Sequence, residues 1–310
     1  MVQARFEHPC DRPKISILRI LYIFLVYLMP SIEANRKAWN NMVNWHSFGE
    51  DWSGPWGGSD LQWWGTIFPR IHLFVPTDTI LEIAPGFGRW TNFLRRLCKQ
   101  LIVVDVAKLS IDTCIKRFSD SGNISYYVND GKSLSMIQND SIDFAFTYDS
   151  LPHADEDAIE GYVNELSRKL KKNGVAFIHH SNMGKYIHSP MKIIWDRHQK
   201  IPGFIKFFRL ANPFLRPAFA WRGKTMTAEK FEEFSKKAGL CCISQECINW
   251  AGWDKLIDCF SIITPNGSIW ERPNKVLQNY KFSQESVKMK RIAELYGDKS
   301  FQFVRNRTKQ

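Results

Sequence analysis

No two of the seven cysteines stand at CxxC spacing, and no histidine pair stands at zinc spacing. A structural zinc site and a secreted disulfide framework are therefore both poor readings, and a reducing, cytoplasmic compartment is favoured. No apolar run approaches the roughly 20 residues that a membrane-spanning helix needs. The longest, Ile20 to Met29, is an unbroken ten. Internal repeats and low-complexity tracts are also missing, and 44% hydrophobic with 24% charged residues excludes a wholly disordered or collagen-like chain. A chain of 310 residues can instead bury one substantial core without a disulfide or metal to hold it.

Charge is present in excess and unevenly placed. The net charge is +11; residues 77–182 carry 12 basic and 14 acidic side chains, and residues 183–310 carry 23 and 11. A phosphate-bearing partner or anionic lipid would suit that basic half, although a solvated face is the commoner cause. Near the N-terminus, residues 15–29 are flanked by Arg12, Lys14 and Arg19. An interfacial anchor, a helix packed on the domain and a dispensable extension are the three readings left open there.

From Thr77 short apolar runs alternate with helical segments, the pattern of a doubly wound α/β fold whose mostly parallel sheet is buried on both faces. Strands are expected at 79–84, 101–106, 124–129, 142–148, 175–180, 241–248 and 255–264, seven in all. Helices are expected at 90–99 and 110–118. Another should carry Ile159, Tyr162, Val163, Leu166 and Leu170 on one stripe and close before Gly174. A later helix should start at the N-cap Thr227 and end at Gly239. Residues 183–226 form an insertion before the sixth strand, long enough for a lid or substrate surface. The expected organisation is an apolar extension (1–38), a Trp-rich cap (39–76), the sheet domain (77–270) and a basic tail (271–310) that is partly helical around Gln284 to Leu295.

The first strand runs into Glu82-Ile83-Ala84-Pro85-Gly86-Phe87-Gly88. Gly86 and Gly88 let the backbone approach a ligand, with the following helix offering its N–H groups. A dinucleotide site would place a third glycine at position 91, which is Thr91. Asp105 ends the second strand, where a carboxylate can accept both hydroxyls of a ribose. Asp130-Gly131 follows the third strand and Asp149 the fourth. This ordered set suits a nucleoside ligand without a pyrophosphate.

With LEIAPGFGRWT (81–91), VNDGKSL (128–134), YDSLPHAD (148–155) and GVAFIHHSN (174–182), the chain resembles the class I S-adenosylmethionine-dependent methyltransferases. Within that family it resembles glycan and sugar O-methyltransferases of surface-polysaccharide gene clusters. The resemblance implies a Rossmann-like fold. It also implies that Glu82, Ala84, Pro85, Gly86 and Gly88 hold the methionine arm of S-adenosyl-L-methionine. Asp105 would take the ribose, Val106 would lie against the adenine, Asp130 and Gly131 would meet its edge, and Tyr148 and Asp149 would face the methionine amino group. Ala84 stands where the family has its first glycine.

Transfer to a hydroxyl also needs a base, and histidine is the usual choice near neutral pH. His153 is favoured, oriented by Asp149 or Asp155, with His180 next; a structural role is as frequent for a lone histidine. A metal at Asp149, His153 and Asp155 is set aside, since no ligand spacing demands one. Six tryptophans (39, 45, 52, 56, 63 and 64) fall within 26 residues. Packing or capping of the pocket is preferred over stacking on sugars. Phe204 to Leu210 alternates aromatic and basic residues, as a lid helix or a membrane-surface segment would. The expected partner is a sugar or other small acceptor, with peripheral contact to a membrane or lipid-linked glycan left open. No Asn/Asp-Pro-Pro-Tyr/Phe motif follows the fourth strand, so nucleic acid is not expected. A methyltransferase of another small-molecule pathway and a non-catalytic cofactor-binding protein are the alternatives.

Overall fold

The computed structural model describes residues 31–41, 46–186, 222–250 and 255–296. The apolar run 15–29, Trp45 and the stretch 204–210 lie outside those residues, as do most of the insertion and the end of the tail. Strands β1 (Thr77–Ile83), β2 (Cys98–Asp105), β3 (Ile124–Val128), β4 (Ile142–Thr147) and β5 (Leu170–Ser181) run parallel. They are joined by β6 (Leu240–Ile248), β7 (Asp258–Pro265) and β8 (Lys275–Asn279) in the order β3-β2-β1-β4-β5-β7-β6-β8. Only β7 runs against its neighbours.

Among the described residues the sheet has eight strands where seven were expected. The extra one, β8, lies in what reads as a basic tail, and its Lys275-Val276-Leu277-Gln278 is exposed. It therefore lacks the buried alternation that marks a strand in sequence.

Both faces of the sheet are covered, which explains the near-continuous apolar strands. Leu81, Ile83, Val104, Ala145 and Ile178 face α6 (Glu156–Lys169), whose stripe Ile159, Tyr162, Val163 and Leu166 is buried as the 3.6-residue period requires. Asp155 caps this helix, its Oδ1 accepting the Ala158 N–H at 3.0 Å, and Arg168 and Lys169 occupy the last turn. On the same face α7 (Ala228–Lys237) is capped by Thr227 and followed by Gly239 at φ +79°. The opposite face, with Ile80, Val103, Phe144, Phe146 and Phe177, is covered by the Trp-rich segment. That segment comprises a 3-10 stretch (His46–Trp56), α2 (Ser59–Gln62), a π-helical turn (Trp63–Ile67) and α3 (Phe68–Ile71). Trp63 is fully buried and stacks on Phe93 at 4.8 Å. Packing thus accounts for Trp56 and Trp63, whereas Trp52 and Trp64 stay exposed.

Three local expectations are corrected. The helix after the glycine turn is only α4 (Thr91–Leu94), because Cys98 already pairs with Thr77 in the β1–β2 ladder. Gly174 is no helix stop: the chain passes from α6 straight into β5 at Leu170. A Cβ on Gly174 would lie 2.6 Å from the Ile142 carbonyl oxygen, beside a shift of register between β4 and β5. Beyond residue 270 the helix expected around 284–295 is there as α8 (Phe282–Tyr296), which buries Phe282 against Trp56, Trp250 and Phe260, but the unexpected β8 precedes it.

Candidate active site

The parallel strands deliver their loops to one edge of the sheet, and a cavity opens there at the ends of β1, β2 and β4. Its wall is mostly apolar with a few polar groups, the usual build of a small-molecule site. Of the residues expected to hold a nucleoside ligand, Ala84, Gly86, Asp105, Val106, Gly131 and Asp149 line it. Ala84 has φ +56°, a left-handed conformation that costs an L-residue about 1–2 kcal/mol, so the turn demands what a glycine gives freely. Gly86, at φ +58°, donates its N–H to Asp105 Oδ2 at 3.3 Å, and Ala107 donates to Oδ1 at 2.7 Å. Each oxygen of this buried carboxylate keeps acceptor capacity for a further donor. Burial pushes the Asp105 pKa up to about 6, against the pull of those amides and of the Ser110 hydroxyl.

Five of the expected residues do not line the cavity. Glu82 is buried behind the turn, where its Oε2 accepts the Thr91 hydroxyl at 2.5 Å, and burial lifts its pKa to about 8. Pro85 forms the bend without reaching the wall. Gly88 serves packing: at φ +83° it lies against α5 (Lys108–Arg117), and a Cβ there would come 2.5 Å from the Phe118 ring. Asp130 is exposed, and its Oδ1 accepts the N–H groups of Lys132 and Ser133 at 3.0 and 2.7 Å. Tyr148 is buried on the tryptophan side, its hydroxyl accepting from Gln62 Nε2 at 3.3 Å.

The histidines separate clearly. His180 is fully buried, stacked on Phe231 at 4.3 Å, with Nδ1 on the Ser181 carbonyl and Nε2 on the Ser261 hydroxyl. Burial lowers its pKa to about 4. It is corrected to a structural residue, because it lies away from the cavity and both nitrogens are committed. His153 closes a 3-10 turn (Leu151–His153) whose neighbours Leu151 and Ala154 line the cavity; its half-buried ring sits 5.9 Å from Trp39. Both carboxylates expected to orient it have partners of their own. Asp155 caps α6, and Asp149 pairs with Arg89 at 3.0 Å.

The feature missed in sequence is α1 (Ile32–Asn40), which lies across the cavity with Ile32, Asn35 and Trp39 on its wall. Asn35 Nδ2 donates to the His153 carbonyl at 2.8 Å, and Arg36 donates to the Asp130 carbonyl at 3.3 Å. Gly131, at φ +97°, makes room for it, since a Cβ would lie 2.6 Å from Ile32. The signal was the N-cap Ser31, whose Oγ accepts from Ala34 N, before an amphipathic stretch.

Residues 80–174, from β1 into β5, match the family model described as a methyltransferase domain. That match to a methyltransferase domain spans 95 of the 310 residues. The chain's cofactor is S-adenosylmethionine, and the donor set fits: a buried acceptor carboxylate for vicinal hydroxyls, left-handed turns at Ala84 and Gly86, and an apolar slot at Val106. No curated protein matches the chain. Solved structures similar to this chain include the DhpI–SAH complex, at 14% identity and TM-score 0.47 over 76% of this chain and 97% of that one. The PH0226 protein of Pyrococcus horikoshii OT3 is similar at 15% and 0.46, over 65% and 88%. A TehB-like SAM-dependent methyltransferase of Corynebacterium glutamicum is similar at 14% and 0.38, over 61% and 80%. Among the described residues, no helix is long and apolar enough to cross a membrane.

Proposed function

We propose that the protein transfers a methyl group from S-adenosylmethionine to a hydroxyl of a sugar, in a surface glycan or its precursor, with His153 as the base. The observation that carries the reading is Asp105, a buried carboxylate on the cavity wall between the Gly86 and Gly131 turns. Bound there, the cofactor supplies a methyl group on a positively charged sulfur, already activated for attack. Asp105 accepts the ribose hydroxyls, Val106 and Gly131 flank the base, and Ile32 and Trp39 of α1 keep water out. What remains for the protein is alignment, which lowers a barrier by roughly 7–11 kcal/mol, and removal of the acceptor proton. His153 suits the second task, lying next to two cavity-lining residues and beside Trp39. The hydroxyl and the sugar are supported by that histidine and by the resemblance of the four sequence motifs.

The test combines calorimetry with S-adenosylhomocysteine and transfer from methyl-labelled cofactor to candidate acceptors. His153→Ala should bind the thioether as the native chain does and lose about 10²- to 10⁴-fold in turnover. Full turnover in that variant removes the base assignment. Label appearing only on non-sugar molecules removes the glycan acceptor.

A further inference from the structure

His179, at the end of β5, is fully buried and has no part in the chemistry above, yet its Nδ1 reaches the backbone of the cavity-lining Asp149. The ring packs among Tyr148, Trp250 and Phe260, with centroids 5.3, 5.0 and 4.7 Å away. Its Nδ1 accepts the backbone N–H of Asp149 at 2.9 Å. That bond assigns the ring proton to Nε2. Nε2 faces Asp258 Oδ2 at 3.4 Å, a contact too poorly aimed to count as a hydrogen bond. Asp258, buried in turn, is gripped by the Arg222 guanidinium at 2.8 and 2.9 Å. The pairing of β4 with β5 ends at Thr147 and Ile178, so the Asp149 amide lies past the ladder and takes the imidazole as acceptor. Asp149, which lines the cavity, holds φ +60° and pairs its carboxylate with Arg89 at 3.0 Å.

We propose that His179, backed by Asp258 and Arg222, is a positioning residue for the cofactor. As the neutral Nε2–H tautomer it fixes the Asp149 backbone in its left-handed turn and so holds Asp149, paired with Arg89, in its place on the cavity wall. The proposal rests on the cofactor reading above.

Two variants separate this role from plain core packing. Asparagine at 179 can offer its Oδ1 where Nδ1 stood, whereas glutamine reaches only the Nε2 position. In the full chain, His179→Gln should weaken S-adenosylhomocysteine binding about tenfold or more, because a buried amide loses its acceptor, while His179→Asn should stay within about threefold. The ring-nitrogen NMR spectrum of the native protein should show an unprotonated Nδ1 and a protonated Nε2 at His179. Equal affinity in the two variants, or a proton found on Nδ1, overturns the proposal. If His179→Gln does not fold, the native spectrum and the His179→Asn affinity still decide it. A native chain that fails to bind the thioether removes the cofactor reading and this proposal together; native binding with an unaffected His179→Gln removes the positioning role alone.

Discussion

Asp105 ties cofactor affinity to pH in a way that can be worked out beforehand. Burial raises its pKa to about 6, so the carboxylate is ionised at neutral pH and protonated in mild acid. Ribose hydroxyls donate to the ionised form; the protonated carboxyl gives up part of its acceptor capacity. Affinity for S-adenosylhomocysteine should therefore be near its plateau at pH 7 and fall up to tenfold per unit below about pH 6. Each hydrogen bond to a charged group contributes about 1.5–3 kcal/mol, so two bonds to the carboxylate contribute roughly 3–6 kcal/mol. Asp105→Ala should lose at least about a hundredfold in affinity. Asp105→Asn keeps the shape, binds more weakly at pH 7 and should be flat with pH. Titration calorimetry between pH 5 and 7 reads the effect while the ligand's own α-carboxylate and α-ammonium stay charged. The neighbouring Glu82, raised to about 8 by burial, stays protonated across that window. A native dissociation constant that is the same at pH 5 and pH 7 would refute the assignment of Asp105 to the ligand.

The same burial predicts a stability effect at Glu82. Its folded pKa stands above the unfolded value, so the stability it contributes is complete below about pH 4.5 and is lost as pH rises through about 8. Glu82→Gln keeps an acceptor for Thr91 and should raise the melting temperature at pH 9 relative to the native chain, with little change at pH 5; equal shifts at both pH values contradict it. Ala84→Gly should relieve the left-handed strain and stabilise by about 0.5–1 kcal/mol in denaturant unfolding. Trp63→Ala, which empties a fully buried site stacked on Phe93, should cost about 3–5 kcal/mol in the same assay. Gly131→Ala should displace Ile32 and weaken cofactor binding about tenfold or more in calorimetry, while unfolding midpoints move much less.

The sheet was readable because its strands are buried on both faces and stand out as apolar runs such as Leu101-Ile102-Val103-Val104. The strand ends were readable too, since Ala84, Gly86, Asp105 and Gly131 owe their place at the cavity to backbone position after a strand. What failed turned on exposure and local engagement, which residue type and position after a strand do not reveal. Asp130 looks identical to Asp105 as a carboxylate after a strand, yet it is exposed and off the cavity wall, its Oδ1 accepting two N–H groups of its own turn. The strand β8 stayed hidden because an outer strand with exposed side chains has no periodic signature.

The two histidines show how far position alone can lead. His179 and His180 are neighbours on β5 and so point to opposite faces, and a sheet exposed on one side would have buried one and bared the other. Here helices and aromatic rings cover both sides, and both are fully buried. What distinguishes them is which loop each reaches: His180 ends on Ser181 and Ser261 within the sheet, whereas His179 takes the amide of Asp149 at the cavity. That difference is set by where the β4–β5 ladder stops, at Thr147 and Ile178. One more pair of ladder bonds would satisfy the Asp149 amide without a side chain, and the histidine could then be replaced by any apolar residue of its size.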